Sequence, residues 1–422
     1  MRATGVGTHV PERAPQSRAT GVGARVKTRV AAALLCATAA AATLAALPGC
    51  GAKFELPTER RQDRVIPSDR SYQMEATWTG MSGVHDILLT PAGQLFVVFN
   101  HGGSGPASRG EVQAFARLAS GGSQTPLPNY PFRTLFNPVA IAQGDSSLFV
   151  LDQGDTCLAR TNPANGSCGA SETWNNDVVD LRYYWRVREF NLVGKARGGL
   201  DTASTFTDTS MAFVDGIAAD DLGRVYLSGT IIRYVVDQVD SRIFTRTFLK
   251  RIQRYARGPR YPGVTPNDPN MPGAAWHRDT TWIIEDGDGG GFIGDPRGLH
   301  WRSAGGTRAL YEADAFKNQA QKLYDNISST PFFVVDSDGG GERMASPTDV
   351  FADELGSVYV ADTGNRRVLR YLPDGSFVQR VDVERDAQGQ ELVEPVAVAA
   401  DSSLVFVGDR SLGKVIRYRR RQ

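Results

Sequence analysis

The feature that most constrains this chain is a unit that recurs along it. Its clearest copy runs Ser346-Pro347-Thr348-Asp349-Val350-Phe351-Ala352-Asp353, then Gly356-Ser357-Val358-Tyr359-Val360-Ala361-Asp362. It continues Thr363-Gly364-Asn365-Arg366-Arg367-Val368-Leu369-Arg370-Tyr371 and ends on Pro373-Asp374-Gly375. Pro347 opens a strand, where a missing N–H is harmless. Val350, Ala352 and the run Val358 to Val360 are short apolar strands split by a glycine turn. Asn365 suits the next turn, and Val368, Leu369 and Tyr371 make a third strand.

The frame returns five more times. Unit one holds Val84-His85-Asp86-Ile87-Leu88 with Leu95-Phe96-Val97, and unit two Pro138-Val139-Ala140-Ile141-Ala142 with Leu148-Phe149-Val150-Leu151-Asp152. Unit three is Asp215-Gly216-Ile217-Ala218-Ala219-Asp220 with Val225-Tyr226-Leu227. Unit four is Pro296-Arg297-Gly298-Leu299-His300-Trp301 with Leu310-Tyr311-Glu312-Ala313-Asp314. Unit six is Pro395-Val396-Ala397-Val398-Ala399, Val405-Phe406-Val407-Gly408-Asp409 and Val415-Ile416-Arg417-Tyr418. The aromatic of the second strand falls at 311, 359 and 406 in the last three units, roughly 48 residues apart. Six units of several short strands predict an all-β, six-bladed β-propeller.

Units five and six carry the residue pattern of the NHL repeat, and the chain resembles NHL-type propellers over residues 79–422, most strongly after 330. The Gly-His and Trp-Asp marks of WD repeats are absent. Unit six runs out of chain after three strands, at Tyr418. Before unit one, Tyr72, Met74, Ala76 and Trp78 alternate in residues 71–78. That segment is expected to supply the fourth strand of the last blade and close the ring, which removes an open edge.

The N-terminus reads as an address. Arg25, Lys27 and Arg29 precede an uncharged run from Val30 to Leu47, which ends in Leu47-Pro48-Gly49-Cys50. This ending resembles the lipobox of bacterial lipoproteins. The resemblance implies a signal peptide over 1–49, lipidation of Cys50, and a lipid-anchored tether over 50–70 ahead of a propeller over 71–422. An uncleaved membrane anchor of 18 residues is the alternative, and both place the body outside the cytoplasm. Arg-Ala-Thr-Gly-Val-Gly occurs at both 2–7 and 18–23, and translation is expected to start at a later codon such as that of Val22 or Val26. Gly51 after the lipid cysteine lacks the inner-membrane retention signal, so an outer-membrane location is expected. Cys157 and Cys168 then remain as an even pair in an oxidising compartment. A disulfide is expected there, contributing about 2–3 kcal/mol, with a metal pair or a reactive thiol as alternatives.

With 41% hydrophobic and 22% charged residues the chain is neither disordered nor a multi-span membrane protein. Residues 1–49 carry six basic groups and one acid, leaving a net −4 on the body against +1 for the whole chain. A mildly acidic body gives no reason to expect nucleic-acid binding.

Superposing the units on Pro347 aligns His85, Val139, Asp215, Arg297, Thr348 and Val396 in one ring, and Asp86, Ala140, Gly216, Gly298, Asp349 and Ala397 in the next. Both are expected near one mouth of the channel, where His85, Asp86, Asp215, Arg297 and Asp349 would converge. A carboxylate trio would suit Ca²⁺, and a histidine with carboxylates Zn²⁺. His85 close to Asp86 would serve as a general base, with Asp86 and Arg297 as the other catalytic candidates. Against these stands the plainer reading that Asp86 and Asp349 bond backbone N–H groups at strand starts, with no resident cofactor. His101, His277 and His300 do not fall in one ring. The runs Asp286 to Gly291 and Asp336 to Gly341 resemble half a calcium loop but are expected to be connectors between blades. Arg419-Arg420-Arg421 is expected to be a solvated tail.

Insertions over 162–185, 230–246 and 257–282 carry Trp174, Tyr261 and Trp276. They would anchor a partner or else pack the insertions onto the ring. The expected function is binding of an envelope protein, peptide or glycan by a monomeric, lipid-anchored propeller, without catalysis. The alternative is a metal-dependent hydrolase or lyase at the channel mouth, as in the lactonase-like and peptide-amidating relatives of NHL propellers.

Overall fold

A computed structural model describes residues 72–421 except 101–109, 120, 129–131, 133–134, 136, 158–171, 175–176, 180–182, 193–204, 207–210, 237–243, 258–275, 287–292, 305–306, 325–332 and 382–390. The lipobox with Cys50, Cys168 and with it the expected disulfide, His101 and Tyr261 lie outside the described residues. No helix among the described residues is long and apolar enough to cross a membrane.

Six antiparallel sheets form the six blades of a propeller. Blade five shows how sequence makes a blade. Its strands are Asp349–Ala352, Val358–Asp362, Arg367–Tyr371 and Phe377–Arg380, paired in chain order. Both faces of the second strand are covered. Val358 and Val360 pack with Ala309, Tyr311 and Ala313 of blade four, while Tyr359 and Ala361 pack with the blade-six group around Phe406. A strand buried on both faces reads as a continuous apolar run, which is what the repeat shows. The turn after the first strand is built by Asp353, whose Oδ1 accepts from Leu355 N at 2.9 Å and Ser357 N at 2.8 Å. Gly356 takes φ 81° there. Asp220 builds the same turn in blade three.

A second repeated carboxylate ends the second strand in three blades and sits within it in blade two. Asp152, Asp314, Asp362 and Asp409 are all fully buried. Each accepts from backbone N–H of the incoming connector: Asn137 at 2.8 Å, Asp295 at 2.9 Å, Ala345 at 2.7 Å and Val393 at 2.7 Å respectively. The residues were legible as part of the repeat, but their partners lie in connectors without a sequence signature.

The ring closes as expected. Tyr72–Thr79 pairs antiparallel with Lys414–Arg420, from Tyr72↔Arg420 to Thr79↔Lys414, and becomes the fourth strand of blade six. The register shifts between Met74 and Ala76, and Glu75 at this bulge bridges Arg417 and Arg419, both at 2.8 Å. The basic C-terminus is therefore not a free tail: Arg419 and Arg420 belong to the closing pair of strands. Blade one has three strands of its own, and the chain after it adds Gly122–Ser123 alongside Trp78 and Thr79.

One buried group in blade four strains this order. Glu312, cross-strand from Gln321, is wholly buried, and neither carboxyl oxygen has a hydrogen-bond partner among the described residues. Burial, followed by the charge of Asp314, pushes its pKa well up. The unfolded chain releases this proton near the ordinary glutamate value and the folded one only at higher pH, so stability falls as pH rises through that interval. Glu312→Gln is expected to be more stable than the parent by about 1–2 kcal/mol at pH 8 and no more stable at pH 4, read from thermal melts at both. Equal melts at pH 8 would show that Glu312 is not the strained group.

Candidate functional site

The first strands of the blades line the channel, and one mouth opens into a cavity of about 330 Å³. The lining includes His85, Asp86, Asp215, Arg297 and Asp349, so the superposed rings do converge there.

Most polar groups at this mouth tie one blade to the next. His85 Nδ1 donates to Val139 O at 2.7 Å, Gln153 Nε2 to Val214 O at 2.8 Å, and Thr348 Oγ1 to Val396 O at 3.1 Å. Thr363 Oγ1, in hydrogen-bond contact with Thr348 Oγ1 at 2.6 Å, donates to Pro395 O at 2.6 Å, and Arg410 Nε reaches Val84 O at 3.4 Å. Each acceptor lies at the start of the next blade. The bond fixes the His85 tautomer: Nδ1 carries the proton and Nε2 offers a lone pair. Burial, then the Arg410 charge, lowers the His85 pKa to about 4. A base that weak is poorly matched to proton transfer at neutral pH.

Asp86 and Asp349 bond backbone N–H groups at strand starts. Asp86 accepts from its own strand at Ile87 N and from blade two at Ile141 N, both at 2.7 Å. Asp349 repeats the arrangement between blades five and six, with Val350 N at 2.8 Å and Val398 N at 2.7 Å. Burial raises both pKa values, and for Asp349 the charge of Asp86 adds to the rise. Their oxygens are committed to backbone at strand starts. Among the described residues, no three His, Cys, Asp or Glu side chains are placed to hold a metal ion.

In the second ring glycine replaces aspartate in blades three and four because the next blade comes too close. A Cβ on Gly216 would lie 2.1 Å from Arg297 O, and one on Gly298 2.5 Å from Asp349 Cα. Asp215 and Arg297 therefore sit on strands in direct backbone contact.

The other sequence candidates fall elsewhere. Trp276 is 1% exposed, T-shaped against Phe149 at 5.7 Å with the Arg257 guanidinium 4.9 Å from its ring. It packs the insertion onto blades two and three and is not an exposed anchor. Trp174 lies in a small two-stranded pair, Glu172–Trp174 with Asp177–Val179. His277 is on the outer strand of blade three. His300 lines a separate pocket of about 270 Å³ that opens among the far ends of the first strands, where its ring lies 4.0 Å from that of Phe351 and burial lowers its pKa to about 3. The Asp336 to Gly341 segment is a connector, as expected. Asp338 Oδ1 accepts from Gly340 N at 2.9 Å and Glu342 N at 3.1 Å, and the cation it meets is Arg367, at 3.1 Å. Of the related segment, 287–291 lies outside the described residues.

Fold and site together define a six-bladed β-propeller with a polar, hydrogen-bonded channel mouth. No protein-family profile matches the chain, and no curated protein matches it. Among solved structures it is similar to virginiamycin B lyase from Staphylococcus aureus, at 12% identity and TM-score 0.41, covering 83% of this chain and 99% of that one. A catalytically inactive form of the same lyase with quinupristin matches at 12% identity and TM-score 0.39, over 83% and 99% of the two chains. Raptor from Chaetomium thermophilum matches at 11% identity and TM-score 0.41, over 84% of this chain and 29% of that one.

Proposed function

We propose that this chain is a bacterial envelope lipoprotein, anchored through Cys50, whose NHL-type propeller captures a peptide or glycan at the channel mouth without transforming it. One observation carries this reading. The cavity of about 330 Å³ is lined by side chains anchored to the neighbouring blade, so the lining is a rigid set of donors and acceptors. Rigid, prepaid hydrogen-bonding geometry favours binding. The hydrolase or lyase alternative needs an activated base or a ligated metal. At this mouth His85 is a weak base, and Asp86 and Asp349 are occupied by backbone N–H.

The test uses full-length protein in detergent, dialysed against fractionated peptides and glycans from an envelope digest, with bound species identified by mass spectrometry. Ser346 is exposed at the cavity rim, and Ser346→Trp is expected to reduce capture at least tenfold while the captured species are recovered intact. Capture unchanged by Ser346→Trp would move the site elsewhere, and recovery of altered species would favour catalysis. Incorporation of labelled palmitate, lost in Cys50→Ser, checks the anchor.

A further inference from the structure

Two opposite charges at the mouth do not meet. The Asp215 carboxylate makes no hydrogen bond or ion pair among the described residues; burial raises its pKa, the charge of Lys250 pulls it down, Asp295 adds to the rise, and Arg297 pulls it down again. Arg297, half exposed, spends Nε on Asp295 at 2.9 Å and leaves both terminal nitrogens without a protein partner among the described residues. Asp295 is held in turn by Lys250 Nζ at 2.5 Å. Asp215 and Arg297 thus face one cavity from strands in backbone contact without forming an ion pair with each other. Their strands cannot move closer, because Gly216 already lets the Arg297 backbone in to contact. Both residues line the cavity.

The geometry points to a free α-amino acid as the ligand, its carboxylate on the terminal N–H groups of Arg297 and its ammonium on Asp215. This deepens the capture reading above and rests on it. The outer edge of a guanidinium matches a carboxylate with two parallel hydrogen bonds. An anion alone would leave Asp215 unpaired in a half-buried site, and an amine alone would leave the two terminal nitrogens of Arg297 unused. Only a group bearing both charges side by side satisfies both. The other charged pair at the rim, Arg410 and Glu394, is closed on itself at 3.2 Å, so the bound side chain is uncharged. Val139, Val396 and Thr348 form the wall it would face.

Isothermal titration of the full-length protein with glycine, alanine, serine and valine tests this, each beside its N-acetyl and its amide derivative. At least one free amino acid is expected to bind, with both blocked forms at least tenfold weaker. Asp215→Asn is expected to abolish the penalty for acetylation, and Arg297→Gln the penalty for amidation. Blocked forms that bind as well as free ones, or penalties unchanged in the variants, overturn the proposal. So does the absence of binding by all four at about 10 mM, which would leave a water-bridged ion pair only. If digest species are captured at the mouth while no free amino acid binds, the capture reading stands and this inference falls. Amino-acid binding that survives Ser346→Trp would place the ligand outside the mouth and overturn both.

Discussion

A chain lacking residues 71–78 is expected to lose cooperative folding altogether. Those residues contribute Tyr72 and Trp78, buried at 1% and 0% exposure. Trp78 packs between Phe115 of blade one and Phe406 of blade six, with ring centroids 5.7 and 5.9 Å away. Tyr72 OH meets Tyr359 OH of blade five at 3.1 Å, so one strand joins three blades. Truncating a buried aromatic to alanine costs about 3–5 kcal/mol, and two such losses approach the whole stability of an ordinary domain. The deletion also exposes the hydrogen-bonding edge of Lys414–Arg420. A bare edge pairs with other chains, so aggregation is expected as well. Circular dichroism melts and size-exclusion chromatography read both effects, with Arg419→Ala as a control that loses only an exposed pairing to Glu75 and is expected to cost under about 1 kcal/mol. A truncated chain that melts like the parent would break the closure argument.

What the sequence disclosed follows from what each part of the fold demands locally. Every blade must bury both faces of its inner strands, so Val358 to Val360 and its counterparts stand out as apolar runs at a fixed spacing. Closure was legible because unit six had three strands and the alternating Tyr72 to Trp78 had no partner. The converging mouth was legible because superposed repeats share a depth in the channel, which placed His85, Asp215 and Arg297 together before any contact was known. What stayed hidden depends on partners that bear no signature. Asp86 and Asp349 bond the N–H groups of Ile141 and Val398 on neighbouring blades, and any residue type would supply those. Trp276 sits in an insertion whose return path to Phe149 no periodicity foretells. The Arg-rich C-terminus looked solvated because Glu75, its counter-charge, is more than three hundred residues away in sequence.

Asp362→Ala is expected to destabilise the propeller by about 3–5 kcal/mol, and the reason also concerns the mouth. The fully buried Asp362 accepts from Ala345 N at 2.7 Å, from Asn365 Nδ2 at 2.9 Å and from Arg367 Nε at 2.7 Å. Arg367 is itself 1% exposed, so Asp338 at 3.1 Å and the largely exposed Glu342 at 2.5 Å would be the only carboxylates left to a buried cation among the described residues, beside the carbonyls of Glu342 and Arg343. Removing one partner of a buried pair leaves the other charge without compensation, whereas removing both is far less costly. Asp362→Ala with Arg367→Met is therefore expected to regain part of the loss, measured by chemical denaturation of both variants beside the parent. A double variant no more stable than the single one would mean that the lost connector bond to Ala345 dominates, and not the stranded guanidinium. The residue after Asp362 is Thr363, which holds Thr348 and Pro395 O at 2.6 Å each on the cavity wall. Loss of the Asp362 anchor frees that turn, so ligand capture at the mouth is expected to weaken in Asp362→Ala even at temperatures where the domain stays folded. The same carboxylate fixes a connector on one side and, through Thr363, the cavity wall on the other, so stability and the shape of the mouth are expected to change together.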